Sequence, residues 1–333
     1  MEATVIIPVL NEGPRLARCV EAVARQEGAK FEILVVDGGS TDGCLAALRC
    51  SEATVVHAPG LGVSASRNLG ARRARGHVLA FTDGDCVPRP GWLRTLLDRA
   101  SEPGVGGVGG ALRHSARGFA GRAEDLETTA FYRGYITSNV AYHADVFREV
   151  GGFDPSLRCA EDWDLAWRVM AMGHDLVYCP EAVVEHDPPE NEGYSSFLRK
   201  QFWYARNDVP VLLRRARGAN GPGRRSAREF LGGALYHAAS LALLGSVVGA
   251  PAGAVLWGGW ALRRALMVRR RNAYARGRVA HLAAHFALKS LARGAGTWVG
   301  LADVARTGLA ARRQVPEGPA RPLKSEKRTN VRA

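Results

Sequence analysis

Short apolar runs alternate with segments of helical spacing along the first hundred residues of the chain. The four apolar runs lie at residues 4–7, 31–36, 53–57 and 77–82. The three segments of helical spacing lie at residues 15–25, 41–50 and 64–75. Because the apolar runs are short and almost continuous, they are typical of strands buried on both faces. This order predicts an α/β fold with a mostly parallel sheet and helices on both faces.

Acidic side chains follow two of these predicted strands. Asp37 follows the second strand and opens the sequence DGGSTD, and Asp83-Gly84-Asp85 follows the fourth strand. Ligands of parallel sheets bind beyond the carboxyl ends of the strands. Two carboxylates separated by one glycine can present oxygens to a hard cation, so the motif predicts a site for Mg²⁺ or Mn²⁺. A solvated turn is the alternative for the motif alone, and its position at the strand end favours the cation site.

Two further segments carry candidate chemistry. Glu161 and Asp162 begin an amphipathic helix, although acidic residues in a first helical turn are also ordinary complements of the helix dipole. Further along the chain, His186 lies at the end of a predicted strand. An imidazole at a strand end near a cation is a candidate third ligand. The glycine-rich run VGGVGG at residues 105–110 does not follow the first strand, so it predicts a closely packed strand rather than a dinucleotide-binding loop.

Composition excludes several classes of protein. The chain of 333 residues is 47% hydrophobic and 23% charged, which argues against wholesale disorder. Six cysteines at scattered spacings exclude a disulfide scaffold and a cysteine zinc site, and they are expected to be small buried side chains. Glu2 precedes the first apolar run and Pro8 interrupts it, so a buried strand is expected there rather than a secretory signal.

Charge divides the chain into two unlike parts. Residues 201–333 contain 24 Lys and Arg against 5 Asp and Glu, a net charge of +19, whereas residues 1–200 carry a net charge of −6. A basic segment of this kind is expected to meet an anionic surface. A nucleic-acid-binding segment would interleave aromatic and basic residues, whereas Trp257 and Trp260 lie inside an uncharged stretch. We therefore expect an anionic membrane surface as partner and no nucleic acid.

The basic part is predicted to be helical and membrane-associated. The uncharged stretch at about residues 230–262 is flanked by arginine clusters on both sides, which favours a re-entrant hairpin turning near Pro251 over a single span. Residues 279–304 form an amphipathic segment suited to anionic lipid, with a soluble helical subdomain as the alternative. The predicted organisation is a catalytic domain at 1–211, a basic helical region at 212–312 and a disordered basic tail at 313–333.

An ordered set of motifs over about residues 3–200 resembles the inverting family 2 glycosyltransferases of GT-A type. The motifs are VIIPVLNEGPRLARCV, EILVVDGGSTDG, GVSASRNLGARRARGHVLAFTDGDC, GGFDPSLRCAEDWDLAWRVMAMG and the strand that ends at His186. The resemblance implies a Rossmann-like GT-A domain, a nucleotide-sugar donor and a divalent cation. It also implies direct displacement of the donor diphosphate by an acceptor hydroxyl.

The resemblance also implies roles for individual residues. It assigns Asp162 as the catalytic base with Glu161 beside it, and Asp37 as the carboxylate that reads the nucleotide base. The remaining donor-binding residues are Pro8, Asn11, Glu12, Arg67, Asn68 and Asp83. The metal ligands are Asp83, Asp85 and His186.

Two departures from the family pattern narrow the expected function. Gly38 stands where a second Asp often follows the first, so Asp37 alone would recognise the base. The sequence QFWYAR at residues 201–206 does not match the Q-x-x-R-W signature of processive synthases, which favours transfer of a single sugar.

The expected function is therefore transfer of a single sugar to a lipid or lipid-linked glycan at the cytoplasmic face of the membrane. A soluble small-molecule acceptor is one alternative. A non-catalytic scaffold that binds membrane or nucleic acid is another. Such a scaffold would be expected to have lost Asp83, Asp85 or Asp162, and all three are present.

Overall fold

The computed structural model describes residues 1–48, 52–114, 135–187, 193–217, 250–271 and 279–307. Within these ranges the strands are β1 (Ala3–Val9), β2 (Phe31–Asp37), β3 (Thr54–His57), β4 (Val78–Phe81), β5 (Cys86–Pro88), β6 (Val105–His114), β7 (Val140–His143) and β8 (Asp175–His186). The helices are α1 (Pro14–Ala24), α2 (Val63–Arg73), α3 (Trp92–Ala100), α4 (Ala144–Glu149), α5 (Glu161–Ala171), α6 (Tyr194–Arg217), α7 (Ala250–Arg271) and α8 (Val279–Thr307).

The eight described strands form one sheet in the order β3-β2-β1-β4-β7-β6-β8-β5. The first four strands in this order are parallel, as the sequence predicts, and Val9 at the end of β1 lies opposite Asp37 at the end of β2. The carboxyl ends of these strands therefore meet at one edge of the sheet.

The other half of the sheet is mixed. β7 runs antiparallel to both β4 and β6, and β5 runs antiparallel to β8, whereas β6 and β8 are parallel. The expectation of a mostly parallel sheet is thus correct for the first half only. β5 and β7 have three and four residues, which is too short for a hydrophobic period to define them in the sequence.

The prediction of a regular helix at residues 41–50 is wrong. Within the described residues a 3₁₀ helix covers only Cys44–Leu48, and residues 49–51 lie outside the described ranges. Gly43 has a φ of +80°, and the Asp42 carboxylate accepts a hydrogen bond from the Cys44 backbone N–H at 3.1 Å. A left-handed residue and a side chain that bonds the backbone both favour a turn over a regular helix.

Apolar side chains pack against both faces of the sheet. On one face Val5 and Ile7 of β1 pack with α1 and α3, and on the other Ile6 packs with α2, α4 and α5. This alternation confirms the prediction of helices on both faces. Five cysteines lie in the described residues, and all five are buried thiols, as expected.

The glycine-rich run of residues 105–110 forms β6, as predicted. A Cβ on Gly110 would lie 2.3 Å from the Ala182 carbonyl oxygen and 2.4 Å from Nδ2 of Asn139. We expect Gly110→Ala to lower the free energy of unfolding by about 1–3 kcal/mol, because a backbone carbonyl cannot easily move away. Urea denaturation checks this.

Gly258→Ala is the matched control, because nothing lies within 4 Å of the Cβ that it would add in α7. This control should be neutral or stabilising by up to about 1 kcal/mol, since alanine is the better helix former. Equal stability of the two variants would contradict the close packing of β6.

The described segments of the basic part, residues 201–217, 250–271 and 279–307, are helices, and α8 packs on both α6 and α7. The predicted helix at residues 279–304 is confirmed as α8, which shares an apolar cluster with α7 built around Ala265 and Phe286. The predicted boundary after residue 211 falls inside α6, where Val211 and Leu212 are buried against Trp167 of α5. The predicted basic helical region is thus continuous with the α/β domain through α6.

Within the described ranges, no helix reaches the combination of length and hydropathy that a membrane crossing requires. The first arm of the predicted hairpin, up to residue 249, lies outside those ranges, as does the predicted tail at residues 313–333. Pro251 lies in the first turn of α7, a position that proline tolerates.

Candidate functional site

The loops after β1 and β2 are joined by hydrogen bonds at the edge of the sheet. The Asn11 side-chain oxygen accepts a bond from the Thr41 backbone N–H at 2.8 Å, and the Asn11 N–H donates to Oγ of Ser40 at 3.0 Å. Asn11 has a φ of +57°, in the left-handed region that asparagine tolerates. Pro8 lies three residues before Asn11, buried in β1 opposite Val36. Two predicted donor-binding loops therefore form one structure.

Asp37 is a buried carboxylate at the end of β2. Its Oδ1 accepts a hydrogen bond from the Ser40 backbone N–H at 2.8 Å, and its Oδ2 lies 3.4 Å from Nδ1 of His57. Burial alone would raise the pKa of Asp37, but the hydrogen bonds from Ser40 and His57 outweigh burial and lower it. Asp37 is therefore a charged hydrogen-bond acceptor at neutral pH.

Glu12 lies against the acidic turn that follows β4. A Cβ on Gly84 would approach Cγ of Glu12 to 3.0 Å, so the glycine allows this side chain to reach the turn. Burial and the negative charge of Asp85 raise the pKa of Glu12, although Arg15 pairs with it at 2.8 Å. Negative charge is therefore concentrated at this turn. A cation or a cationic side chain bound there would neutralise part of that charge.

The predicted metal ligands lie together. Donor atoms of Asp83, Asp85 and Cys86 lie within 4.8 Å of one another, and Nε2 of His186 lies 3.1 Å from Oδ2 of Asp85. The pairing of β5 with β8 places Cys86 opposite His186. Two carboxylates and an imidazole suit a hard divalent cation. Without a cation, burial and the charge of Asp83 hold the pKa of the Cys86 thiol well above its usual range. Hard cations prefer oxygen ligands, which favours the two carboxylates over this thiol.

Arg67 links the acidic turn to the acidic helix. It projects from α2, is 3% exposed, and donates to Oδ1 of Asp83 at 2.7 Å and to Oε1 of Glu161 at 3.0 Å. Its guanidinium also lies 5.7 Å from the centre of the Phe153 ring. Burial opposes the charge of Arg67, but Asp83 and Glu161 outweigh burial and raise its pKa. The two halves of the site are therefore held by one buried cation.

Asn68 has a structural role in this arrangement. Its Nδ2 donates to the Phe153 carbonyl at 2.8 Å, and its Oδ1 accepts from the Phe153 N–H at 2.9 Å. Both polar groups of the side chain thus tie α2 to the loop before α5. The predicted contact of Asn68 with the donor stays a prediction.

Asp162 lies in the first turn of α5, beside Glu161. The helix begins after Ala160, which has a φ of +59°, so a non-glycine residue in the left-handed region sets the direction of this turn. Burial and the neighbouring charge of Glu161 raise the pKa of Asp162 to about 8. A carboxylate with a raised pKa is a stronger base than an exposed aspartate.

Two residues that neighbour the site belong to none of the motifs recognised in the sequence. His57 ends β3 beside Asp37, and its position directly after an apolar run could have identified it by the argument used for His186. Asp208 of α6 accepts a bond from the Cys159 thiol at 3.1 Å, next to the start of α5. Asp208 lies within a long helix, and nothing in the surrounding sequence indicates that it is close to the site.

Comparison with known proteins identifies the family. The model of "Glycosyl transferase family 2" matches residues 4–151. The chain is 30% identical to glycosyltransferase AglE of Haloferax volcanii over 227 residues, which cover 63% of this chain and 74% of AglE. It is 27% identical to the pre-mycofactocin glycosyltransferase of Mycobacterium tuberculosis over 254 residues, 70% of this chain but only 51% of that protein.

A solved structure shows the same fold. The mannosyltransferase PcManGT of Pyrobaculum calidifontis, in complex with GDP-Man and Mn²⁺, superposes with a TM-score of 0.63. It is 22% identical, and the match covers 89% of this chain and 87% of that one. The parallel strands β1 to β4, the acidic turn after β4 and the sequence relatives are all consistent with one family. This chain belongs to glycosyltransferase family 2 and is a glycosyltransferase.

Proposed function

We propose that this enzyme moves a single sugar from a nucleotide-diphospho-sugar to an acceptor hydroxyl, with inversion at the anomeric carbon. The observation that carries the proposal is the pair of hydrogen bonds from Arg67 to Asp83 and Glu161. These bonds set the acidic turn and the start of α5 on two sides of one site. A donor diphosphate at the turn and an acceptor near Asp162 would then flank the same sugar.

The donor is assigned to the loops after β1, β2 and β4. Asp37 offers a charged acceptor for an N–H of the base, while Asn11 and Glu12 line the path from Asp37 to the acidic turn. Asp83, Asp85 and His186 would hold a divalent cation, Mg²⁺ or Mn²⁺. When bound, such a cation supplies positive charge that stabilises the leaving diphosphate.

Asp162 is assigned as the general base. In its deprotonated form it takes the proton from the acceptor hydroxyl, whose oxygen then attacks the anomeric carbon from the side opposite the diphosphate. A single displacement of this kind inverts the configuration. Glu161 is already engaged by Arg67 at 3.0 Å, which leaves Asp162 as the carboxylate of this pair available for proton transfer.

Nucleotide binding tests the donor site. Calorimetry of the full chain with UDP, GDP and dTDP, each with and without Mn²⁺, should show metal-dependent binding of one of the three. The product of subsequent transfer should have the opposite anomeric configuration to the donor. A folded protein that binds none of them would favour the non-catalytic scaffold.

Asp85→Ala tests the cation site. We expect the metal-dependent part of nucleotide affinity to fall about 10- to 100-fold, since one charged ligand and the hydrogen-bond partner of His186 are lost together. Calorimetry in a Mn²⁺ titration measures this loss. Glu185→Gln is the matched control, because Glu185 lies next to His186 but is partly solvated and pairs with Arg89. Unchanged metal dependence in Asp85→Ala would contradict the assignment.

The acceptor is proposed to be a lipid or lipid-linked glycan at the cytoplasmic membrane face. The net charge of +19 in residues 201–333 and the exposed aromatic rings of Trp203, Tyr204 and Trp298 support this proposal. Flotation of the full chain with anionic vesicles, but not with neutral ones, is the expected result. Absence of flotation would favour a soluble acceptor.

A further inference from the structure

The last described helix, α8, lies in direct backbone contact with α6. A Cβ on Gly296 would come within 2.1 Å of the Phe202 carbonyl oxygen, and one on Gly300 within 2.4 Å of the Arg206 carbonyl oxygen. Glycines one turn apart on α8 therefore allow the two helices to approach more closely than side chains would permit. The relative position of α6 and α8 is strongly constrained by this contact.

A chain of polar contacts runs from α8 to the start of α5. Nη2 of Arg293 on α8 lies 3.2 Å from Oδ2 of Asp208 on α6, and its Nη1 donates to Gln201 at 3.3 Å. The other oxygen of Asp208, Oδ1, accepts a hydrogen bond from the Cys159 thiol at 3.1 Å. Cys159 is buried and stands two residues before Glu161. Asp208 therefore joins a basic residue of the C-terminal helix to the backbone that leads into the candidate base.

Apolar packing reinforces the same junction. Val211 and Leu212 of α6 form a cluster with Trp167 of α5, against which Ala160 and Trp163 also pack. Ala160 adopts a left-handed φ of +59°, a conformation that a non-glycine residue keeps only when its surroundings hold it. The contacts with α6 provide these surroundings on one side of the turn.

We propose that Arg293 and Asp208 are positioning residues for the transfer reaction, and that α8 thereby completes the active site by holding the start of α5. The proposal rests on the proposed function, in which Asp162 is the base. Neither residue touches substrate in this assignment. They act by fixing the loop of Cys159 and Ala160, and through it the direction in which Asp162 faces the acceptor.

Charge provides a readout that a purely structural role would not change. Charged or titratable groups act on Asp162 from its own helix and from the elements around it: Glu161, Arg67, Asp208, Tyr142 and Cys159. The negative charge of Asp208 raises the pKa of Asp162, and Arg293 partly neutralises that charge. Asp208→Asn should therefore move the acid limb of the pH–rate profile to lower pH. Arg293→Met should move it to higher pH.

The test compares two ion pairs between the same helices in the full-length protein. Arg293→Met breaks the pair with Asp208, and Arg206→Met breaks the exposed pair with Asp303, whose atoms are 2.7 Å apart. We expect Arg293→Met to lower kcat by about 10- to 100-fold, with donor KM and nucleotide affinity within about twofold of wild type. Arg206→Met should keep wild-type kcat, and Arg293→Lys should recover most of the loss.

Several results would overturn the inference. Equal losses in Arg293→Met and Arg206→Met would show that the pairs only dock α8, and wild-type kcat in Arg293→Met would remove the role altogether. Shifts of the acid limb in the same direction for Arg293→Met and Asp208→Asn would also contradict it. If Arg293→Met does not fold, two other measurements decide whether the inference holds. They are the position of the acid limb in the pH–rate profile of Asp208→Asn and the kcat of Arg293→Lys. A wild-type enzyme without transfer would instead overturn the proposed function.

Discussion

Asp162→Asn is expected to reduce the rate of sugar transfer by about 10²- to 10⁴-fold, the usual contribution of a general base. The amide keeps the shape of the side chain but cannot accept the proton of the acceptor hydroxyl. Nucleotide affinity should stay within about twofold of wild type, because the proposed donor contacts lie at the ends of β1, β2 and β4. Transfer assays and calorimetry on the same preparation measure the two effects.

The pH dependence of the wild-type enzyme gives an independent check. Burial and Glu161 raise the pKa of Asp162 to about 8, and Asp162 can act as the proposed base only when it is deprotonated. The rate should therefore rise with pH through this value and fall as Asp162 becomes protonated below it. In Asp162→Asn the residual rate should lose this dependence.

Asp145→Asn is the control for loss of one aspartate away from the site, because His143, two residues before Asp145, pairs with Val78 at the start of β4. Asp145 lies on α4, is fully solvated and pairs only at the surface with Arg148. This variant should transfer sugar at the wild-type rate. If Asp162→Asn lost nucleotide binding and transfer in equal measure, Asp162 would be a donor-binding or structural residue instead of the base.

Arg67→Met should lower the free energy of unfolding by about 3 kcal/mol and abolish most of the activity. The substitution keeps an apolar chain of similar length but leaves Asp83 and Glu161 without their shared cation. Breaking a buried ion pair by removing one partner is costly because the remaining charges lose their compensation. Here the cost is moderated because Asp83 is about a third exposed.

Arg75→Met is the matched control for Arg67→Met. Arg75 follows α2 and pairs with Glu32 at 2.6 Å, but its side chain is largely exposed. Its loss should cost less than about 1 kcal/mol. Urea denaturation measures both variants, and equal stability losses would mean that the bridge between the acidic turn and α5 does not hold the site together.

The sequence alone predicted most of the parallel half of the sheet, formed by β1 to β4, and the acidic residues at the ends of β2 and β4. Buried parallel strands are continuous apolar runs, so β1 to β4 and the residues that follow them are visible without any partner. Asp37, Asp83, Asp85 and His186 were identified because their position at strand ends is a local property. The three aspartates converge because β1, β2 and β4 are parallel, whereas His186 is brought to them by the antiparallel pairing of β5 with β8.

The sequence could not predict the mixed half of the sheet or the turn after β2. The direction of β7 depends on which neighbours its four residues pair with, and nothing in those residues records that choice. The 3₁₀ turn at Cys44–Leu48 depends on Asp42, whose side chain also bonds the Gly13 backbone N–H across the loop. Tertiary contacts therefore overrode the helical spacing of this segment.

By itself the sequence determined an α/β sheet with carboxylates at one edge, because apolar periodicity and strand-end motifs are local properties of a few consecutive residues. The resemblance of its ordered motifs to the family 2 glycosyltransferases was visible there as well. Only the tertiary structure decided how those carboxylates are held. Arg67 bonds Glu161 across 94 residues of chain, and Arg293 pairs with Asp208 across 85. Such contacts join residues from separate helices, and their geometry exists only once the sheet and helices have packed.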